Sequence, residues 1–196
     1  MPPRPRLILA SASPRRSRLL SELAVPFEVR PAVVDESRLP GEAPPDLARR
    51  LAAAKALAVA RGLGGAEAAL PVLGADTVVA LGGQPFGKPR DPAEAREMLQ
   101  RLSGREHAVH TGLALVRGRR GSLRTRVVTT AVAFRPLALE ELEAYVRSGE
   151  PLDKAGAYAL QGGGGGFVCR LEGSRSNVIG LPLEETRALL REEGIL

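Results

Sequence analysis

Between Leu7 and Leu20 the chain reads LILASASPRRSRLL. A four-residue apolar run passes through Ser11 and Ser13 into Pro14, Arg15 and Arg16. With Pro14 at the first position of a helix, Ser13 becomes its N-cap and both arginines fall in the first turn. Positive side chains there oppose the helix dipole, at a cost of roughly a few tenths of a kcal/mol. An anion docked on the exposed amides reverses that cost. A strand, a Ser-x-Ser step and a helix start carrying arginines can therefore cradle a phosphate. The glycine spacing of a Walker loop is absent. The competing reading is an ordinary capped helix with two solvated arginines, and the spacing favours the phosphate cradle over it.

The acids are few. Of five aspartates, Asp46 precedes an alanine-rich helical segment and Asp91 precedes Pro92, so both read as N-caps. Asp35, Asp76 and Asp153 lack that explanation. In LGADTVV (73–79), Asp76 directly follows a buried-looking strand. Carboxylates at the ends of strands in open α/β sheets face the ligand crevice. Asp76 could hold a divalent metal or take a proton from water, or it could be a turn aspartate bonded to its own backbone. Asp35 and Glu36 lie in a Pro-rich loop, where solubility is the simpler explanation.

The cations are uneven. Only three lysines, Lys55, Lys88 and Lys154, stand among 28 basic residues. A compact ammonium cannot always be replaced by a planar guanidinium, so lysines retained in an arginine-rich chain are candidate functional residues. The competing explanation is surface accident. Lys55 sits in the alanine-rich helix, Lys88 between Gly87 and Pro89, and Lys154 directly after Asp153. His107 and His110 make no zinc pattern with Cys169, the single cysteine, so zinc is not expected.

Alternating strands and helices position these groups. Apolar spacing predicts strands at 7–10, 27–30 and 70–75, the last extended by 78–81. It predicts helices at 14–23, 46–61, 92–102, 139–147 and 182–193, with a Pro-rich loop over 33–45. Gly82-Gly83 marks a turn. Residues 108–116 and 124–134 read as two long antiparallel strands joined by a basic turn. A short strand is expected at 167–171. The five glycines at 162–166 must be either mobile or tightly turned. These elements predict one α/β domain over residues 1–196, with a mixed twisted sheet, flanking helices and two lobes around a cleft.

Composition narrows the function classes. A hydrophobic fraction of 44% in 196 residues supports a real core, and 3% aromatics means it is built from Leu, Val and Ala. No run approaches a membrane span, and the start is not a convincing signal peptide. One cysteine permits no internal disulfide. These features lead us to expect a cytoplasmic protein. The net charge of +6 suits an anionic partner, although codon bias toward arginine explains much of it. Basic residues do not alternate with aromatics, so nucleic acid is not the expected partner. The cluster Arg117, Arg119 and Arg120 reads as a solvated turn.

SASPRRSRLL (11–20) resembles the signature of the Maf family of nucleoside triphosphate pyrophosphatases, once described as septum-formation inhibitors. The resemblance continues through VVDES (33–37), LAAAKA (51–56), LGADTVV (73–79), GKPRD (87–91), LSG (102–104), HTG (110–112), SGEPLDKAGAYALQG (148–162) and GLPL (180–183). It implies a Maf/ITPase-like fold in which Asp76 is the catalytic base and Glu36 sits beside it as a metal ligand. A magnesium or manganese ion completed by substrate phosphates suits such oxygen donors. Lys55 and Lys88 become phosphate contacts, and Lys154 could join them. Ser11, Ser13 and Arg16 belong to the phosphate cradle.

Arg15, Thr77 and Gln161 match the specificity set of the branch acting on dTTP and UTP, a house-cleaning activity on nucleotide pools. The products implied are the monophosphate and pyrophosphate. A branch acting on 7-methyl-GTP and a non-catalytic nucleotide- or nucleic-acid-binding division regulator are the alternatives. A homodimer is common in the resembling family. The glycine run is richer than the family pattern, and a looser loop there would relax base selection near Gln161.

Overall fold

The computed structural model describes residues 5–117 and 121–196. The first strand, β1 (Leu7–Leu9), leads into α1 (Pro14–Ser21), β2 (Phe27–Val29) and the long α2 (Pro44–Gly62). Then come β3 (Pro71–Leu81), β4 (Gln84–Phe86) and α3 (Pro92–Leu102). The long pair β5 (Glu106–Arg117) and β6 (Leu123–Phe134) precedes α4 (Leu139–Arg147), β7 (Val168–Glu172), α5 (Arg175–Ile179) and α6 (Leu183–Glu192). The expected helices and long strands are all present, with ends displaced by a few residues. β4 and α5 are additions, too short to carry a periodic signal. Arg119 and Arg120 of the predicted basic turn lie outside the described residues. Arg117 is paired with Glu193.

One mixed sheet of seven strands runs in the order β2-β1-β3-β5-β6-β7, with β4 hairpinned onto β3. β2, β1 and β3 are parallel, and β3, β5, β6 and β7 are antiparallel. One apolar cluster joins β1, α1 and α6 through residues such as Leu9, Leu20 and Leu189. Another joins α3 and α4 to the far end of the sheet through Leu99, Leu142 and Phe134. The cleft opens between these two packed regions. Among the described residues, no helix is long and apolar enough to cross a membrane.

Two predicted caps behave differently. Asp91 caps α3 as expected, its Oδ1 accepting from the Glu94 N–H at 2.8 Å. Asp46 does not cap α2. Pro44 and Pro45 start that helix two residues earlier, with Ala43 in the N-cap position, and Asp46 pairs with Arg49 instead. Proline at the first helical positions needs no N–H partner, so the prolines outrank the aspartate as the start signal.

Asp76 is not at the end of its strand. Residues 71–81 form one continuous strand, and Asp76 pairs with Gly112 at its centre. The crevice exists because the neighbour stops. β1 pairs with β3 only at Val72 and Leu73, and the chain then turns away into α1. β3 runs on without its parallel partner, and Asp76 and Thr77 lie on that uncovered stretch.

Candidate active site

α2 crosses β3 and β5 at unusually close range. A Cβ at Gly74 would lie 2.2 Å from the Ala52 carbonyl, and one at Gly112 would lie 2.2 Å from that of Ala48. Side-chain-free positions on the two adjacent strands let the helix backbone settle onto the sheet. Asp76 lies opposite Gly112 and two residues from Gly74, hence on this same face. The close helix delivers Lys55 to it. Lys55 Nζ stands 2.6 Å from Asp76 Oδ1 and 2.6 Å from Glu36 Oε1.

These three groups form the electrostatic centre of the cleft. Burial pushes the Asp76 carboxyl up from its ordinary value, and the charges of Lys55 and Arg16 offset this only in part. Burial would also raise Glu36, but the hydrogen bond and charge of Lys55, with Lys88 and Arg16 behind it, outweigh that and hold it low. Two neighbouring carboxylates are thus driven apart in basicity, the pattern that separates a base from a fixed anion. The loop bearing Glu36 is pinned to α2 by Arg50, which bonds the Glu42 carboxylate and the Ser37 carbonyl.

On the opposite face, α1 supplies the second wall. Ser13 occupies the predicted N-cap position, but its side chain makes no capping bond. The Ser13 N–H donates to Ser11 Oγ at 3.2 Å. Arg16 is fixed by three acceptors, the Gly180 carbonyl at 2.8 Å, Thr77 Oγ1 at 3.1 Å and Ser11 Oγ at 3.2 Å. Thr111 donates its hydroxyl proton to the Asn177 carbonyl. The 2.9 Å contact between Thr77 and Thr111 must therefore be donated by Thr77. Arg16 is held by a relay of oriented hydroxyls, and Asn177, fully buried, anchors its far end.

The mouth of the cleft carries the remaining groups. Arg15 reaches toward Asp153, with 4.0 Å between Nη1 and Oδ2. Lys154 is bonded to the same Asp153 and to the Glu150 carbonyl. Lys88 follows the β3–β4 hairpin, and the Gly156 N–H donates to the Gly87 carbonyl, stitching its loop to the Lys154 segment. Gln161 is exposed on the rim. All eleven residues singled out in the sequence line one cleft of about 630 Å³. That volume suits a small-molecule ligand.

Sequence reasoning missed Arg38 and the Gly180 carbonyl as parts of this wall, which Tyr158 also lines. Arg38, two residues after Glu36, had adjacency as an available signal. The Gly180 carbonyl had none, because its role depends on a backbone bend at φ +128°. Tyr158 is both core and lining: its ring packs against Phe134 and its hydroxyl lies 2.9 Å from His107 Nε2.

The donor set near Asp76 fits a hard divalent cation in kind. It consists of two carboxylates, and among the described residues no third His, Cys, Asp or Glu joins a metal-binding group. Lys55 now bridges the point where both carboxylates converge. Asp76 Oδ2 accepts no hydrogen bond from the described protein atoms. A Mg²⁺ or Mn²⁺ ion bound there would draw its remaining ligands from phosphate and water.

A cleft of this kind, with paired carboxylates at the centre and cations on every wall, sits on a mixed α/β sheet whose sequence matches the Maf-like protein model over residues 6–193; the chain belongs to that family. The relatives it resembles carry a narrower name. A dTTP/UTP pyrophosphatase of Anaeromyxobacter dehalogenans (strain 2CP-C) is 53% identical over 192 residues, covering 97% of this chain and 95% of the relative. Proteins of the same name from Myxococcus xanthus (strain DK1622) and Syntrophus aciditrophicus (strain SB) are 54% and 49% identical. The first of these matches covers 96% of this chain and 93% of the relative, the second 97% and 91%.

Proposed function

We propose that this chain hydrolyses dTTP and UTP to the nucleoside monophosphate and pyrophosphate. The observation that carries the reading is a buried carboxylate, Asp76, raised in basicity and placed in a cation-lined cleft large enough for a nucleotide. Near-full-length relatives named for the same reaction support it. A protein that only bound anions would gain nothing from two carboxylates in its cleft.

The residues divide the work by position. Arg15, Lys88 and Lys154 grip the polyphosphate from the mouth, while the free amides of α1 and the Ser13 hydroxyl meet it from the opposite wall. Arg16, already oriented by its three acceptors, presents a fixed charge that needs no rearrangement as negative charge builds on the phosphate oxygens. Asp76 takes the proton of a water aimed at the α phosphorus. Glu36, held ionised, keeps Lys55 against Asp76. Asp76 and Glu36 are the residues that would hold a divalent cation, which would supply further neutralisation of phosphate charge. Gln161 offers both a donor and an acceptor, which suits the acceptor–donor–acceptor edge of thymine or uracil.

The test is a panel of nucleoside triphosphates, with and without Mg²⁺, scored for pyrophosphate against phosphate. Pyrophosphate release confined largely to dTTP and UTP is expected. Release of phosphate from the terminal position, or no turnover on any substrate, would overturn the reading. Asp76→Asn should lower kcat by about a hundredfold or more.

A further inference from the structure

The five glycines at 162–166 fold into a packed turn. Residues 163–167 form a 3-10 helix, and none of the five has a positive φ. Four of them are crowded. A Cβ at Gly162 would lie 2.0 Å from Glu150 Oε1, one at Gly164 would lie 2.9 Å from Tyr145 Oη, and one at Gly165 would lie 2.6 Å from the Leu160 carbonyl. A Cβ at Gly163 would lie 3.1 Å from the Tyr145 ring. Only Gly166 faces open space. Of the two readings of the run, mobile or tightly turned, the second holds: glycine is needed here for close approach, not for freedom.

Two side chains hold this turn. Tyr145 Oη donates to Glu150 Oε1 at 2.9 Å and accepts from the Ala159 N–H at 3.1 Å. Glu150 Oε2 accepts from the Gly163 N–H at 3.2 Å. The bonds bracket Gln161, with Ala159 two residues before it and Gly163 two after. The Glu150 carbonyl also accepts from Lys154. One glutamate thus ties the rim segment carrying Gln161 to the segment carrying a phosphate-side lysine.

We propose that Tyr145 and Glu150 are positioning residues for base selection, clamping the glycine turn so that Gln161 meets the pyrimidine edge in a fixed orientation. Neither residue touches substrate in this role. The inference rests on the proposed pyrimidine preference and on Gln161 as a base reader. An unclamped Gln161 would still bond a base, but its backbone could shift along the rim, so that its amide meets thymine or cytosine alike. Loss of the clamp therefore lowers discrimination more than it lowers turnover.

The experiment compares kcat/KM for dTTP and dCTP in the wild-type protein and in Tyr145→Phe, Glu150→Gln and Gln161→Ala, with thermal midpoints recorded. Tyr145→Phe removes one oxygen and keeps the ring packing, so it carries the test if Glu150→Gln unfolds. The dTTP-to-dCTP ratio should fall about fivefold or more in each clamp variant, the worth of one lost hydrogen bond. An equal loss on both substrates means a structural role only and overturns the proposal. A flat ratio in Gln161→Ala overturns the Gln161 reading. The clamp falls with it, because it acts through Gln161. Equal rates on dTTP and dCTP in the wild-type protein overturn both. A glycine pair supplies an independent readout: Gly164→Ala should lower the ratio and Gly166→Ala should leave it. Equal effects of the two would point to backbone freedom and overturn the clamp.

Discussion

Lys55 and Asp76 form a 2.6 Å ion pair between side chains that are each 11% exposed. Breaking a pair so enclosed leaves the surviving charge without compensation. The same ammonium also separates Asp76 from Glu36. In Lys55→Met the two carboxylates face each other, and only Arg16 still favours the ionised form of Asp76. The acid limb of the pH–rate profile should move to higher pH than in the wild-type protein. An unmoved limb, measured as kcat/KM on dTTP, would separate Lys55 from the basicity of Asp76.

The hydroxyl relay behind Arg16 can be cut without altering its shape. Thr111→Val leaves the Thr77 hydroxyl without its acceptor and the Asn177 carbonyl without its donor. An unpaired buried group costs about 1–3 kcal/mol. A drop in thermal midpoint is expected, together with a rise in KM of about fivefold as Arg16 loosens. Thr111→Ser restores the hydroxyl and should recover KM. A fall in stability with KM unchanged would confine Thr111 to packing.

The close seat of α2 makes a further demand. Gly112→Ala places a methyl group 2.2 Å from the Ala48 carbonyl, which cannot yield without moving the helix. Overpacking of this sort costs about 1–3 kcal/mol. Because Lys55 rides on α2, activity should fall about tenfold or more even in the folded fraction. Gly62→Ala, at the open end of the same helix, meets nothing within 4 Å and should be neutral in both assays. Comparable losses in the two variants would refute the close-contact explanation.

His107 gives the fold a pH dependence of its own. Burial lowers it from 6.5 to about 4, so it stays neutral in the folded protein across weakly acidic conditions. The unfolded chain takes up a proton as the pH drops through about 6.5. Below that point the unfolded state binds more protons, so stability is lost as pH falls toward 4 and levels off beneath it. The full loss is about 3 kcal/mol. His107→Gln keeps a partner for Tyr158 and should flatten the thermal midpoint between pH 4 and 6.5. An unchanged slope would assign the acid sensitivity to other groups.

The amino-acid sequence by itself determined the elements and the chemical inventory. The helix at Pro92–Leu102 was readable from Asp91, Pro92 and the apolar spacing, because a cap and a 3.6-residue period are local properties. The long antiparallel pair was readable for the same reason. The motif residues identified the cleft lining because each recurs in family segments of fixed order. Tertiary structure decided which of these groups meet. Asp76 lies within a strand instead of after it, because the strand end that matters belongs to β1, which stops at Leu9, far away in the chain. Asn177, the single asparagine, carries no local signal, and its value as an anchor comes from Val109, Thr130 and Thr111 on neighbouring strands. In sequence the glycine run leaves mobile and tightly turned equally open. Only the approach of Tyr145 and Glu150 in three dimensions shows that the missing side chains make room for a contact.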